Sequence, residues 1–393
     1  MAKKIFISAG ELSGDEHAAQ VVMQLRALLP ECSLSGMGGQ NMRKAGVETV
    51  VDSEVSGSIM GFLQVAKSIG TILKAINQLK ELISTWKPDL IILVDYPDFH
   101  FRIAKFASKL GIPVLFYIPP SVWAWRPGRV KLIEKYVHKV AAIYPFEPEF
   151  YRSKGYNQVV YVGHPFADEF KNHSKAQSDR TEFFKRLNLD PTRPTIAILP
   201  GSRRTELQRL LKPALEGLKL LREQMPDVQA ILPIAPSLNM EMLQSDFAEI
   251  FNSQICATRE SSLEVLKFCD AGLLKSGTSN LQAAFLQLPF SMFYQADPIS
   301  ALIAKALIPI QSFSLVNIIR PNTVKEVIQD EVTPEILATE MQSLLEDQEK
   351  RAHILVGLSE VRDKLSNYEK EPLFSDSSST SERVALIARD MIT

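Results

Sequence analysis

The chain has 393 residues, 44 Lys plus Arg against 45 Asp plus Glu, a formal net charge of −1, 46% hydrophobic residues and 23% charged ones. Enough apolar side chain is present to offset chain entropy, which excludes disorder over most of the length, and the balanced charge excludes a chain-wide nucleic-acid coat. At ~150 residues per domain the length predicts two or three domains, each able to bury a core. Cys32, Cys256 and Cys269 show no C-x-x-C spacing, so three reduced thiols are expected rather than a disulfide framework or a zinc site. Residues 1–10 imitate an export signal, but Glu11 and Asp15 interrupt it, and no stretch reads as a span of ~20 mostly apolar residues. A soluble chain, or one lying on a membrane surface, is expected.

Short apolar runs alternate with amphipathic stretches. Residues 4–8 read as a strand, and residues 15–29 as a helix with Ala18, Val22, Leu25 and Leu29 on one face. A second strand at 32–37 is followed by a helix at 59–86, with Gly70 as a candidate break. Residues 89–94 are continuously apolar after Asp89 and predict a strand buried on both faces. A helix at 99–110 stops at Gly111, and strands follow at 113–118 and 140–144. Residues 166–195 are polar and read as a linker. The alternation then restarts, with strands at 195–199, 228–233 and 271–274 and helices at 205–222, 261–268 and 279–286. Helices at 334–345 and 348–366 and a Ser-rich break at 375–381 precede a last helix at 381–392. The βαβα order predicts an α/β protein of two tandem Rossmann-like domains, at 1–168 and 169–370, with a cleft between them and a C-terminal tail and helix at 371–393. That helix either returns to the first domain or exchanges with a partner chain.

In open parallel sheets ligands bind beyond the carboxyl ends of strands, so the loops there are the candidates. After the first strand come Ser8-Ala9-Gly10-Glu11-Leu12-Ser13-Gly14-Asp15: either a sugar- or acceptor-binding loop around Ser13, Gly14 and Asp15, or a turn in which Ser13 or Asp15 caps the helix. Gly36-Met37-Gly38-Gly39 reads as a flexible turn after the second strand. In Val94-Asp95-Tyr96-Pro97-Asp98-Phe99 two carboxylates stand three apart, and Asp98 is either an N-cap or a general base. Pro119-Pro120-Ser121-Val122-Trp123-Ala124-Trp125-Arg126 carries two of the three tryptophans. Sugar stacking, acyl-chain contact, membrane contact and a loop folded onto its own domain all fit it. His164, in Gly163-His164-Pro165, is either a ligand contact or hinge packing.

In the second half, Leu199-Pro200-Gly201-Ser202-Arg203-Arg204-Thr205-Glu206 combines a glycine, a helix N-terminus and an arginine suited to a diphosphate. Lys275-Ser276-Gly277-Thr278-Ser279-Asn280-Leu281-Gln282 offers a second such loop. No D-x-D, G-x-x-x-x-G-K-[ST] or G-x-S-x-G occurs, and the six histidines show no metal-ligand spacing. No metal or cofactor is expected.

In their order along residues 5–317, these loops, with Pro145-Phe146-Glu147 and Asn317, resemble the lipid-A-disaccharide synthase family of GT-B glycosyltransferases. The Pro120-to-Arg126 run is the most specific of them. The resemblance implies a transfer of 2,3-diacylglucosamine from its UDP donor to 2,3-diacylglucosamine 1-phosphate, with a β-1,6 link, inversion and release of UDP. It implies Asp98 as base, Gly201, Ser202, Arg203, Ser276, Gly277 and Thr278 around the diphosphate, and Glu206, the retained acid of the helix after that loop, among the substrate-binding residues. Gln282 stands where the family usually has a ribose-binding Glu, Val316 where it has Pro in Leu-Pro-Asn, and Gln208 where it has a second acid. Dimers with exchanged C-terminal parts and work at the cytoplasmic face of an inner membrane belong to the same implication. Alternatives are a UDP-sugar epimerase of the same architecture and a non-catalytic nucleotide-sugar-binding relative. Between Arg102 and Lys139 eight basic residues face one acid, Glu134, a local net charge of +7, which suits an anionic membrane if it clusters in space. The apolar stretch 299–319 reads as core or as an acyl-chain surface.

Overall fold

Five consecutive apolar residues at Leu90–Val94 leave no face for water, and the computed structural model of the chain buries all five inside a parallel sheet. The structure describes residues 2–54, 65–124, 127–173, 179–236, 238–239, 243, 245–248, 255–297 and 312–393. Two units emerge from the contacts: Met1–Asp168 with Leu365–Thr393, and Glu169–Lys364.

The first unit has strands β1 (Lys4–Ala9), β2 (Ser33–Gly38), β3 (Glu48–Asp52), β4 (Leu90–Val94), β5 (Val114–Tyr117), β6 (Lys139–Ala142) and β7 (Val159–Tyr161). They form one sheet in the order β3-β2-β1-β4-β5-β6-β7 with every pairing parallel. Its helices are α1 (Leu12–Leu28), α2 (Gln40–Lys44), α3 (Val65–Trp86), α4 (Pro97–Lys109), α5 (Val130–Tyr136), α6 (Glu147–Ser153) and the start of α7 (Pro165–His173). Parallel strands force crossovers, and the helices cover both faces. One core gathers Ile5, Ile7 and Ile92 with Val22 and Leu25 of α1, and the other gathers Phe6, Ile91 and Leu93 with Ile103 of α4 and Ile133 of α5.

The second unit has α8 (Arg180–Arg186), β8 (Thr195–Leu199), α9 (Arg204–Gln224), β9 (Gln229–Pro233), β10 (Cys256–Thr258), α10 (Ser262–Phe268), β11 (Ala271–Lys275) and α11 (Ser279–Leu286). β12 (Phe290–Tyr294), α12 (Leu315–Ile319), β13 (Glu326–Ile328), α13 (Pro334–Glu346) and α14 (Gln348–Ser366) complete it. Its parallel sheet runs β10-β9-β8-β11-β12-β13.

Several expectations are revised. The polar stretch after Phe166 is no bare linker: it contains α7 and α8, and Phe183 and Phe184 of α8 are fully buried beside an Arg180–Asp270 fork. α3 runs through Gly70 without a break. Gly36 and Gly38 belong to β2 rather than to a turn. α1 starts at Leu12 with Glu11 as its N-cap residue, so neither Ser13 nor Asp15 caps it. Residues 298–311 of the apolar stretch lie outside the described residues.

The last helix, α15 (Thr380–Asp390), packs on α1 in the first unit. Ser379 caps it by accepting from the Glu382 amide at 3.1 Å. Val384, Ile387 and Phe374 are fully buried in the same core as β1. Arg383, buried with them, donates from Nε to the Val162 carbonyl at 2.6 Å and stacks 4.0 Å over the Tyr368 ring. Cutting Ile387 back to Ala is expected to cost about 2–5 kcal/mol, read as a lowered urea midpoint. An unchanged midpoint would mean that α15 is not part of the core.

Candidate functional site

The loops after β1 and β2 in the first unit are tied together by one carboxylate. Asp15, in the first turn of α1 and almost fully buried, accepts from the Gly39 amide at 2.5 Å, the Asn41 amide at 2.9 Å and the Met42 amide at 3.3 Å. These are amides at the start of α2, which a helix cannot satisfy internally. Asp15 therefore caps a neighbouring helix and fixes the loop after β2, and both its oxygens are occupied. Gly14 is buried beneath it, and Ser13 is exposed.

The turn after β4 is built from two consecutive left-handed residues, Asp95 at φ 54° and Tyr96 at φ 50°, a conformation that side chains other than glycine adopt at a cost. A buried imidazole holds it. His100 Nδ1 donates to the Asp95 carbonyl at 2.6 Å, which leaves Nε2 to accept from the Ser8 hydroxyl at 2.9 Å. Burial lowers the His100 pKa to about 4 against the opposing effect of the Asp95 carbonyl. The Tyr96 ring lies over Gly10, where any Cβ would overlap it. Burial also raises the Asp95 carboxyl, with the Tyr96 amide pulling the other way.

Asp98 follows in the first turn of α4 and does not cap it, because Tyr96 is the N-cap residue and no side chain caps this helix. Its Oδ1 accepts from Arg129 at 2.6 Å while its side chain stays 76% exposed, and its Oδ2 has no partner among the described residues. Asp98 lines a 340 Å³ cavity with Glu11, Asp95, Tyr96, Phe99 and Arg102.

Trp123 is half-buried against its own unit, edge-on to Phe146 at 4.9 Å and to Tyr144 at 6.1 Å. Trp125 and Arg126 lie outside the described residues. Behind Trp123, buried Glu147 accepts from the amides of Ile143 and Tyr144 at 3.1 and 3.0 Å. Burial nevertheless pushes its carboxyl up to about 8, against those amides and the Trp123 indole. His164 is buried between Tyr144 and Phe166, at 5.5 and 5.0 Å, and accepts from the Phe166 amide at 3.2 Å. Burial, then the nearby His17, lowers its pKa to about 3.

The second unit opens a 510 Å³ cavity at the carboxyl ends of β8, β9 and β11. Gly201, Ser202, Glu206, Ser276, Gly277, Thr278 and Gln282 all line it. Gly201, at φ 129°, gives the Glu206 carboxylate room that a Cβ would take. Glu206 reaches back along α9: its Oε2 accepts from the amides of Ser202 at 2.9 Å and Arg203 at 3.3 Å, and its Oε1 from Lys275 at 2.9 Å. Burial would raise its carboxyl, but Lys275 and the two amides outweigh it and the net shift is downward. The Ser276 hydroxyl donates to the Phe313 carbonyl at 2.7 Å, and Gln282 accepts from Ser262 at 3.1 Å.

Two expected residues are not among the groups lining the cavity. Arg203 is exposed. Asn317 is buried and saturated: it donates to the Val324 carbonyl and to Glu326, and accepts from the amides of Thr323 and Val324. It locks the loop after α12. The cations that do line the cavity, Lys275 and Arg259, were not anticipated from the sequence. Lys275 was detectable in principle, as the residue directly before Ser276-Gly277-Thr278. Arg259 was not, because its place depends on β10, a three-residue strand without a clear pattern. Among the described residues no three His, Cys, Asp or Glu side chains are grouped to hold a metal ion.

A family profile described as lipid-A-disaccharide synthetase matches residues 5–373. A lipid-A-disaccharide synthase of Geobacter metallireducens is 40% identical over 391 residues, covering 99% of this chain and 97% of that one. Among solved structures, the glycotransferase of kitacinnamycin aligns over 100% of both chains with a TM-score of 0.63 at 13% identity. The UDP-GlcNAc 2-epimerase of Neisseria meningitidis, solved with UDP-GlcNAc bound, also aligns over 100% of both chains with a TM-score of 0.59 at 14% identity. These two likenesses give the fold, a GT-B type.

His100 and His164 are held neutral in the fold but titrate near 6.5 when unfolded. Between about pH 6.5 and 4 the unfolded chain therefore binds more protons, and stability falls as pH is lowered, by about 1.4 kcal/mol per pH unit for each imidazole. Urea midpoints across that window are expected to drop toward acid. His100→Asn should show a shallower drop; a slope equal to that of the unaltered chain would reject the neutral, buried His100.

Proposed function

The chain belongs to the lipid-A-disaccharide synthase family and is a glycosyltransferase of lipid A biosynthesis, and from that premise we propose how its residues divide the reaction. The donor is UDP-2,3-diacylglucosamine and the acceptor is 2,3-diacylglucosamine 1-phosphate. The acceptor's 6-hydroxyl oxygen attacks the anomeric carbon and the bond from that carbon to the UDP oxygen breaks. The proton passes to Asp98, and UDP leaves with the electron pair. A single displacement inverts the centre and needs no covalent intermediate on the protein.

The observation that carries this reading is the state of Asp98. One oxygen is held by Arg129 and the other has no partner among the described residues, at the rim of a cavity whose walls include Tyr96 and Phe99. A general base must be oriented and yet open to the proton it takes. Ser13, Gly14 and the loop clamped by Asp15 border the acceptor. His164 supports the same edge from behind, and Trp123, Trp125 and Arg126 form the segment that meets the acyl chains.

The nucleotide occupies the cavity of the second unit. Gln282 faces the ribose, and Gly201, Ser202 and the turn 276–278 face the diphosphate. Arg203 adds charge at the same loop, Glu206 shapes it, and Asn317 steadies the loop beyond. Backbone dipoles and cations offset the charge that develops on UDP.

No helix among the described residues is long and apolar enough to cross a membrane. The proposed place of work is the cytoplasmic surface of the inner membrane, with the +7 segment from Arg102 to Lys139 facing anionic lipid.

Asp98→Asn is expected to keep UDP affinity while losing most turnover, about 100-fold or more, measured as disaccharide formed from the two lipid substrates. Near-normal turnover would remove Asp98 as the base. Binding to anionic vesicles is expected to weaken steeply as salt rises, because surface charge is screened within about 10 Å at 0.1 M. Salt-insensitive binding in a flotation assay would point to apolar insertion instead.

A further inference from the structure

We propose that Lys275 is a diphosphate-binding cation, held ready in the cavity of the second unit by Glu206. The proposal rests on the reading of that cavity as the nucleotide site. Lys275 is the last residue of β11, so its side chain leaves the sheet at the carboxyl edge, immediately before the Ser276-Gly277-Thr278 turn. Its Nζ donates to Glu206 Oε1 at 2.9 Å and stands 5.7 Å above the Tyr294 ring. Both partners are largely enclosed, with 23% of the Lys275 side chain and 17% of the Glu206 side chain exposed.

The other candidate cations are placed differently. Arg259 spends its guanidinium on the carbonyls of Ala235 and Leu238, both at 2.8 Å. Arg204 pairs with Asp246 at 2.6 Å, and neither Arg203 nor Arg204 lines the cavity. An ammonium has three N–H donors, of which Glu206 receives one. The remaining donors are available to an anion lying across the Gly201 loop and the Ser276 turn, and the same ion pair keeps the Glu206 carboxylate from repelling that anion. Because Glu206 also receives the Ser202 and Arg203 amides, the single carboxylate sets both the loop and the lysine in register before the nucleotide enters.

The test compares two probes on the full chain: UDP, titrated by calorimetry, and uridine, measured by ligand-detected NMR. Lys275→Met should weaken UDP about 10- to 100-fold, as expected for a charged hydrogen bond, and leave uridine binding unchanged. Lys275→Arg should restore much of the UDP affinity. Equal losses for UDP and uridine would overturn the proposal, because Lys275 would then only shape the cavity. Unchanged UDP affinity in Lys275→Met would overturn it as well. If the unaltered chain binds neither probe, the reading of the cavity as a nucleotide site fails, and the proposal with it.

Discussion

Loops at the carboxyl ends of parallel strands present backbone N–H groups that no strand or helix can satisfy, and buried ones must find an acceptor. This chain meets the demand with carboxylates. Asp15 takes three amides at the start of α2, Glu147 takes two after β6, Glu206 takes two before α9, and Glu326 takes the amides of Phe313 and Ser314. In each case a side chain on one element fixes the loop of another, or the turn that leads into its own helix. The shape of both candidate sites depends on these clamps.

Their consequence is rigidity where chemistry requires it. A hydroxyl base and a diphosphate cradle act by being in position before the substrate arrives, which removes reorganisation from the reaction. The turn before Asp98 shows the same logic with an imidazole: two left-handed residues persist because His100 bonds the Asp95 carbonyl and is itself held by Ser8. Asp98 stands apart from this group. Its second oxygen has no partner among the described residues, whereas the clamping carboxylates have both oxygens or the whole group enclosed. The contrast separates a carboxylate open at a cavity, the one proposed as base, from carboxylates that hold the frame.

The contrast also explains which parts of the site were legible. Asp15, Asp98, Glu206 and Asn317 all occur in conspicuous loops, and chain position alone treats them alike. Whether a carboxylate faces a cavity or a set of amides is decided by elements far away in sequence: Asp15 meets residues 39–42, and Lys275 meets Glu206 across 69 positions. Five strands escaped the sequence reading; β12, a buried five-residue run, is one, and the other four have local causes. β7, β10 and β13 are three residues long, too short to show a period. β3 alternates on a half-exposed edge of the sheet. Helices α7 and α8 were masked by polar composition, because α8 buries only its two phenylalanines completely.

By itself the sequence determined the α/β class, the two parallel sheets, the family resemblance and several of the strand-end loops that line the two cavities. Those properties follow from local periodicity and from short motifs at strand ends, which are written into consecutive residues. Only the tertiary structure decided that α15 completes the core of the first unit, that Asn317 is a loop lock, and that Lys275 and Arg259 are the cations lining the second cavity. These depend on partners distant in the chain, and a side chain's chemistry is set by the groups it meets rather than by its neighbours in sequence.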